Sequence, residues 1–450
     1  MRLLIVLLVA WSSLAAEDRW FIGTLNGQQL ASLRQSERPL ADGGCESSSE
    51  TLLVLRRAMP GQAELRLEIR EAQILTEDGQ GRIIAFRFDH DENGSVTSAR
   101  GTVADGKVSG TLSRLGRTTP ITLAVPVGGE LLGDHASQQR LVAAKLASGA
   151  TLTLSSLALL GNEVRIVAST ATGRGVEGAV SSFEVVVDAM PLPMQVRLDA
   201  RGGMVGMVMH LGPMALVLAP APGPVALMGA ELPPTGLVQA TGPHPSLTRD
   251  NRLRLPTGAT LPDDPFQEEA DGIVTLHREA VPAPLVGGFL AAGPQLELDD
   301  PALRAWVAAN CAGVSILDDA ERLRLAVRSH ITTKDLSKGD GSALETFRSH
   351  TGDCTEHATL LCAALRIARI PARIVVGLIY VPEYGGWVGH AWNSAYVADR
   401  WVHLDSAYPG VPRSCYLALG HGGDSDGGGT GAQLMVQLNR LLGKTIDVLP

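Results

Sequence analysis

The chain has 450 residues, of which 45% are apolar and 19% charged, and a formal net charge of −9. That length exceeds one ordinary hydrophobic core and predicts two or three folded domains, which excludes disorder throughout. A negative chain with no long basic stripe also lacks the surface that nucleic acid requires, so no nucleic-acid partner is expected.

Residues 1–16 begin Met-Arg, continue through an apolar run from Leu3 to Trp11 and end in Ser12-Ser13-Leu14-Ala15-Ala16. A basic start, a short apolar stretch and small residues are the pattern of a cleaved secretory signal, and the run falls short of the ~20 residues a spanning helix needs. The expectation is an exported, periplasmic or extracellular protein with no membrane span in its mature form. Five cysteines, at 45, 311, 354, 362 and 415, leave at least one thiol unpaired.

Residues 17–218 read as a β-rich N-terminal region built from antiparallel sheet. Ala63 to Arg70 alternates apolar and charged residues, while Ile83 to Phe88 and Phe183 to Val187 are rich in strand formers. Asn93-Gly94 and Asp105-Gly106 are the dipeptides of tight hairpins, whose two central residues take positive φ. Seven of the ten methionines fall between Met190 and Met228; with His210 as the one accompanying histidine, they read as core filler and not as a soft-metal site. Residues 219–289, with ten prolines between Pro220 and Pro265, read as a linker or bridge.

From residue 290 the period becomes helical. Asp300 precedes Pro301 as a helix cap, and Asp318 with Glu321 has capping-box spacing. Residues 416–450 read as a glycine-rich loop followed by a short amphipathic helix near 434–442.

The chemistry concentrates between Ser349 and Gly410. Asp353 and Glu356 stand at capping-box spacing ahead of the helical pattern Ala358, Leu361, Cys362, Leu365 and Ala368, which puts Cys354 in the first turn. The free amides and positive dipole end there favour thiolate and can stabilise an oxyanion. Two strands follow, one holding His390 and one ending at Asp405. A two-residue turn at Ala398-Asp399 pairs residues whose numbers sum to 797, making His390 and Asp405 diagonal neighbours on one face, close enough for the carboxylate to orient the imidazole. His403 shares that face and is held as a reserve base. His350, Cys354 and His357 have helical i, i+4, i+7 spacing, but a zinc site there lacks a fourth ligand and would consume the thiolate.

Three blocks, Gly352-Asp353-Cys354-Thr355-Glu356-His357-Ala358, Gly389-His390-Ala391-Trp392 and Trp401-Val402-His403-Leu404-Asp405, resemble the transglutaminase-like superfamily in their order. The resemblance spans residues 290–415. It implies a papain-like α+β catalytic domain, a Cys354–His390–Asp405 triad, a thioester intermediate and a peptide or protein substrate, with no cofactor and no metal. Ser406 stands where family members often have proline, and Thr332-Thr333 where many have an aromatic residue. Peptide hydrolysis or transglutaminase-type acyl transfer is the expected activity. The alternative is a non-catalytic exported module that binds peptide or cell-wall material on this scaffold; the intact Cys, His and Asp set favours the enzyme.

Overall fold

The computed structural model describes every residue except 1–17, 58–64, 115, 161–162, 212–213, 232–237, 258, 260, 286, 288, 335–340, 409, 423–436 and 439. The signal-like segment lies outside the described residues, as do residues 434–436 and 439 of the expected C-terminal helix; residues 437 and 438 are helical and 440–442 form a turn. Among those described, no helix is long and apolar enough to cross a membrane. The chain divides into two compact units, residues 2–233 and 234–450.

The first unit is an antiparallel meander of strands β1 (Arg19–Leu25), β2 (Gln28–Pro39), β3 (Cys45–Arg57), β4 (Leu65–Glu77), β5 (Ile83–Glu92), β6 (Ser95–Ala104), β7 (Lys107–Arg114), β8 (Arg117–Ala124), β9 (Thr151–Leu160), β10 (Glu163–Glu177), β11 (Val180–Val187), β12 (Met190–Leu198), β13 (Met204–Leu211) and β14 (Met214–Ala221). Its two arms, β1 to β8 and β14 to β9, join where β1 pairs with β14; β15 (Ala230–Glu231) adds a short parallel edge on β3. Asn93-Gly94 and Asp105-Gly106 take the positive φ values expected of them. The sheet curls so that Leu157 and Leu159 of β9 pack with Leu75, Phe86, Phe88 and Val108 of the opposite arm. Met194, Met204, Met207 and Met209 are buried, and Met194 pairs across strands with Met209, so these methionines are core. Helix α1 (Asp134–Ala144) connects the arms.

The second unit is α+β. Helices α2 (Pro301–Asn310), α3 (Ile316–His330), α4 (Ala343–Ser349) and α5 (Cys354–Ile367) precede strands β20 (Ala372–Val381), β21 (Gly386–Val397), β22 (Arg400–Leu404) and β23 (Tyr416–Gly422). Asp300 caps α2 as its sequence suggests. The α3 cap is Ser315, whose hydroxyl accepts from the Asp318 N–H, so Asp318 sits inside the first turn instead of preceding it. The proline-rich stretch is not structureless: β16 (Val238–Thr241), β17 (Asn251–Arg254), β18 (Gln267–Ala270) and β19 (Ile273–Leu276) join β24 (Thr445–Leu449) in the same sheet. Pro243 and Pro245 lie between β16 and β17 and Pro256, Pro262 and Pro265 between β17 and β18, while Val238, Leu253, Val274 and Leu276 are buried in the core.

Helix α5 is the centre of that core. Every side chain from Thr355 to Arg366 is buried, including the polar Thr355, Glu356, His357, Thr359 and Arg366. Ala391, Ala395 and Leu404 of β21 and β22 share its cluster, and the Asn393 amide donates to the Ala358 carbonyl across 2.9 Å, fastening sheet to helix.

Candidate active site

Asp353 is the cap of α5 and forms a complete capping box with Glu356. The box determines which amides at this helix start are used. Asp353 N–H donates to Glu356 Oε2 at 2.9 Å, Thr355 N–H to Asp353 Oδ1 at 2.8 Å, Glu356 N–H to the Asp353 carboxylate, and His357 N–H to the Asp353 carbonyl at 3.0 Å. Among the described residues, the Cys354 N–H has no partner.

Cys354 is half-buried at the first helical position. Its acidity differs from the expectation of a thiolate at rest. Burial pushes the thiol well above its ordinary range, and the carboxylates of Asp353, Glu356 and Asp405 push the same way, while the Ala391 N–H favours thiolate. Burial and acidic neighbours thus oppose the helix end, and the thiol calls for a base.

The hairpin carries the candidate base, His390. Ala398 and Asp399 both have positive φ, and the β21–β22 register pairs Asn393 with Leu404 and Val397 with Arg400, each summing to 797 as the sequence predicts. His390 and Asp405 therefore meet, with His390 Nε2 2.7 Å from Asp405 Oδ2 and both side chains buried. Asp405 is held by more than histidine. Its Oδ1 accepts the N–H groups of Ala407 and Tyr408 at 2.8 and 2.9 Å, and its Oδ2 accepts the Tyr416 hydroxyl at 2.9 Å. Burial alone would raise its pKa, but His390 and these donors hold it well below the usual carboxylate range. An ionised Asp405 accepts a hydrogen bond from the Nε2–H of His390, which leaves Nδ1 as the basic nitrogen of the neutral ring. Trp392 stacks on the imidazole at 6.1 Å, and Tyr408 and Tyr416 flank it at 6.2 and 5.9 Å.

The other candidate histidines have different surroundings. Burial and the Arg413 cation push His403 down to about 3, so it is neutral and not a reserve base. His357 is pushed down to about 4 by burial, and its Nδ1 lies 3.3 Å from Ser406 Oγ, which gives the serine after Asp405 a structural partner. His350 is the left-handed C-cap of α4, its Nδ1 3.1 Å from the His330 carbonyl; it does not converge with Cys354 and His357 as a zinc site requires. Thr332 and Thr333 donate their N–H groups to the His350 carbonyl, and Thr333 bridges to Thr351 ahead of α5. Sequence reasoning missed Tyr416: it lies beyond the three blocks, and only the pairing of β23 with β20 brings it to Asp405.

Residues 303–406 match the family model of the transglutaminase-like superfamily. The C-terminal unit thus carries a transglutaminase-like α+β domain, and the match encloses Cys354, His390 and Asp405 while ending short of Tyr416. No curated protein matches the chain. Among solved structures, a candidate cysteine protease from Cytophaga hutchinsonii is 17% identical, covering 42% of this chain and 78% of that one with a TM-score of 0.28. A β-barrel-like protein of unknown function from Brucella abortus is 15% identical over 47% of this chain and 98% of its own, with a TM-score of 0.34. A Pseudomonas aeruginosa protein is 16% identical over 44% and 93%, with a TM-score of 0.22.

Proposed function

We propose that the transglutaminase-like domain performs thiol-dependent acyl chemistry on amide bonds of peptides or proteins, with Cys354 as nucleophile, His390 as base and Asp405 as its orienting partner. The observation that carries this reading is the buried 2.7 Å His390–Asp405 contact. The proton of Cys354 passes to His390 Nδ1 as the sulfur attacks the carbonyl carbon, and the imidazolium is stabilised by Asp405. The Cys354 N–H, the one amide the capping box leaves over, donates to the oxyanion. Collapse returns the proton to the departing amine and leaves a thioester. Water, deprotonated by His390, then releases the acid; an amine in its place would complete a transfer.

Hydrolysis is the favoured outcome, because water is abundant. The signal-like residues 1–16 support action outside the cytoplasm. The test is to incubate the protein with peptides and glutamine-bearing proteins, with and without a primary amine, and identify products by mass. New carboxyl termini or deamidated glutamine support hydrolysis, amine adducts support transfer, and no Cys354-dependent product with any acyl donor overturns the proposal.

A further inference from the structure

The N-terminal unit contains a second group of reactive side chains, none of them used above. In the β2–β3 hairpin Pro39 pairs with Cys45 and Glu37 with Ser47, so Glu37 and Cys45 are diagonal neighbours on one face. Glu77 of β4 lies opposite Cys45 on the other side. Its carboxylate accepts the N–H groups of His135 and Ala136 at 3.0 and 3.1 Å, which seats the first turn of α1 on the sheet rim. Glycines make the approach possible: a Cβ at Gly133 would fall 2.0 Å from Glu77 Oε1, and one at Gly81 2.2 Å from Ala136 Cβ.

Seated this way, α1 presents His135 to the hairpin. His135 Nδ1 lies 3.1 Å from Glu37 Oε2, and the ligand atoms of Glu37, Cys45 and His135 all lie within 4.8 Å of one another. Glu37 and Cys45 are more than nine-tenths buried. The group borders a cavity of about 350 Å³, also lined by Glu77, Gln139 and Arg140. Arg140, the cation of that lining, is paired with Glu130 at 2.8 Å.

Thiolate, imidazole and carboxylate are the donors from which zinc sites are made, and around a tetrahedral ion such donors stand about 3.3 to 3.7 Å apart. Closing this group onto an ion takes shifts of about 1 Å. Calcium and magnesium prefer oxygen throughout, and Cu(I) prefers sulfur without carboxylate, so the mixed set selects a borderline divalent ion. We propose that Glu37, Cys45 and His135 bind a zinc-class divalent cation, with a fourth position open to the cavity and Glu77 as the positioning residue. A cation bound there displaces the Cys45 thiol proton and takes the sulfur as thiolate.

The test uses the full chain, reduced and stripped with chelator, then dialysed against Zn²⁺ or Co²⁺. We expect one equivalent of Zn²⁺ per chain and, with Co²⁺, a thiolate-to-metal charge-transfer band. Both persist in Cys354→Ala and vanish in Cys45→Ser, and His135→Gln weakens binding at least about tenfold. In the unaltered protein Zn²⁺ slows alkylation of Cys45, mapped by peptide mass, by at least about tenfold. Substoichiometric metal, a band that survives Cys45→Ser, or Cys45 alkylation unaffected by Zn²⁺ overturns the site.

Discussion

Asp405→Asn is the most informative substitution, because the structure dictates how the amide must sit. The Oδ1 position receives two backbone N–H groups, from Ala407 and Tyr408, which cannot reverse their polarity. The asparagine carbonyl must therefore take that position, and its NH₂ group falls where Oδ2 now meets His390 Nε2 and the Tyr416 hydroxyl. The hydroxyl can turn to accept. The imidazole must accept too, which moves its proton to Nδ1 and removes the base from the thiol. The charge that stabilised the imidazolium is also lost. Together these predict a fall in acylation of about 10³- to 10⁴-fold, or about 4 to 5.5 kcal/mol, with little loss of stability because each polar atom keeps a partner. The assay is the p-nitrophenol burst from p-nitrophenyl acetate, assigned to Cys354 by its absence in Cys354→Ala, with a thermal melt as control. A folded variant retaining more than about a tenth of the burst rate refutes the tautomer argument.

Further outcomes follow from the same geometry. Asp353→Ala, which removes the capping box, lowers stability by about 1 kcal/mol in a denaturant melt and slows the burst as Cys354 loses its fixed position. Asp264→Ala leaves the buried Arg373 and Arg413, each now within 3.2 Å of that carboxylate, without their anion; the C-terminal unit should lose about 3 to 5 kcal/mol, read by urea titration. His357→Gln keeps a polar partner for Ser406 and, since His357 is already neutral, changes the burst less than about tenfold. The two units respond oppositely to acid. Asp405 and Asp264 are depressed from 3.8, so the stability they give the C-terminal unit is present above that value and lost as pH falls below it. Glu77 is raised from 4.5 to about 7, so metal-free stability in the N-terminal unit is greatest below about 4.5 and declines as pH rises through about 7. Calorimetry from pH 8 to 3 separates these trends; an N-terminal transition that weakens from pH 7 to 5 contradicts the second.

The parts legible in the sequence were those set by local rules. A two-residue turn with both φ positive fixes the β21–β22 register, and register alone brings His390 to Asp405. Capping-box spacing likewise locates Cys354 at a helix start. Other features depend on contacts that no local pattern encodes. Tyr416 reaches Asp405 only through the β20–β23 pairing, and the thiol acidity depends on burial and on three carboxylates gathered by the fold. Helix α1 buries Ser137 and Gln138 beside Ala136 and Leu141, so it lacks the apolar stripe that announces a helix. Strands β16 to β19 have two to four residues of real alternation each, too few to stand out among prolines. Glu37, Cys45 and His135 come from separate elements and share no motif spacing.

The central claim is that His390 activates the Cys354 thiol for acyl capture, and the direct measurement is the intact mass of the protein quenched in acid during turnover of an activated acyl donor at neutral pH. The account predicts an acyl adduct mapping to Cys354 that forms rapidly in the unaltered protein and at least about 10²-fold more slowly in His390→Ala. An adduct on another residue, or one that forms on Cys354 equally fast without His390, contradicts it.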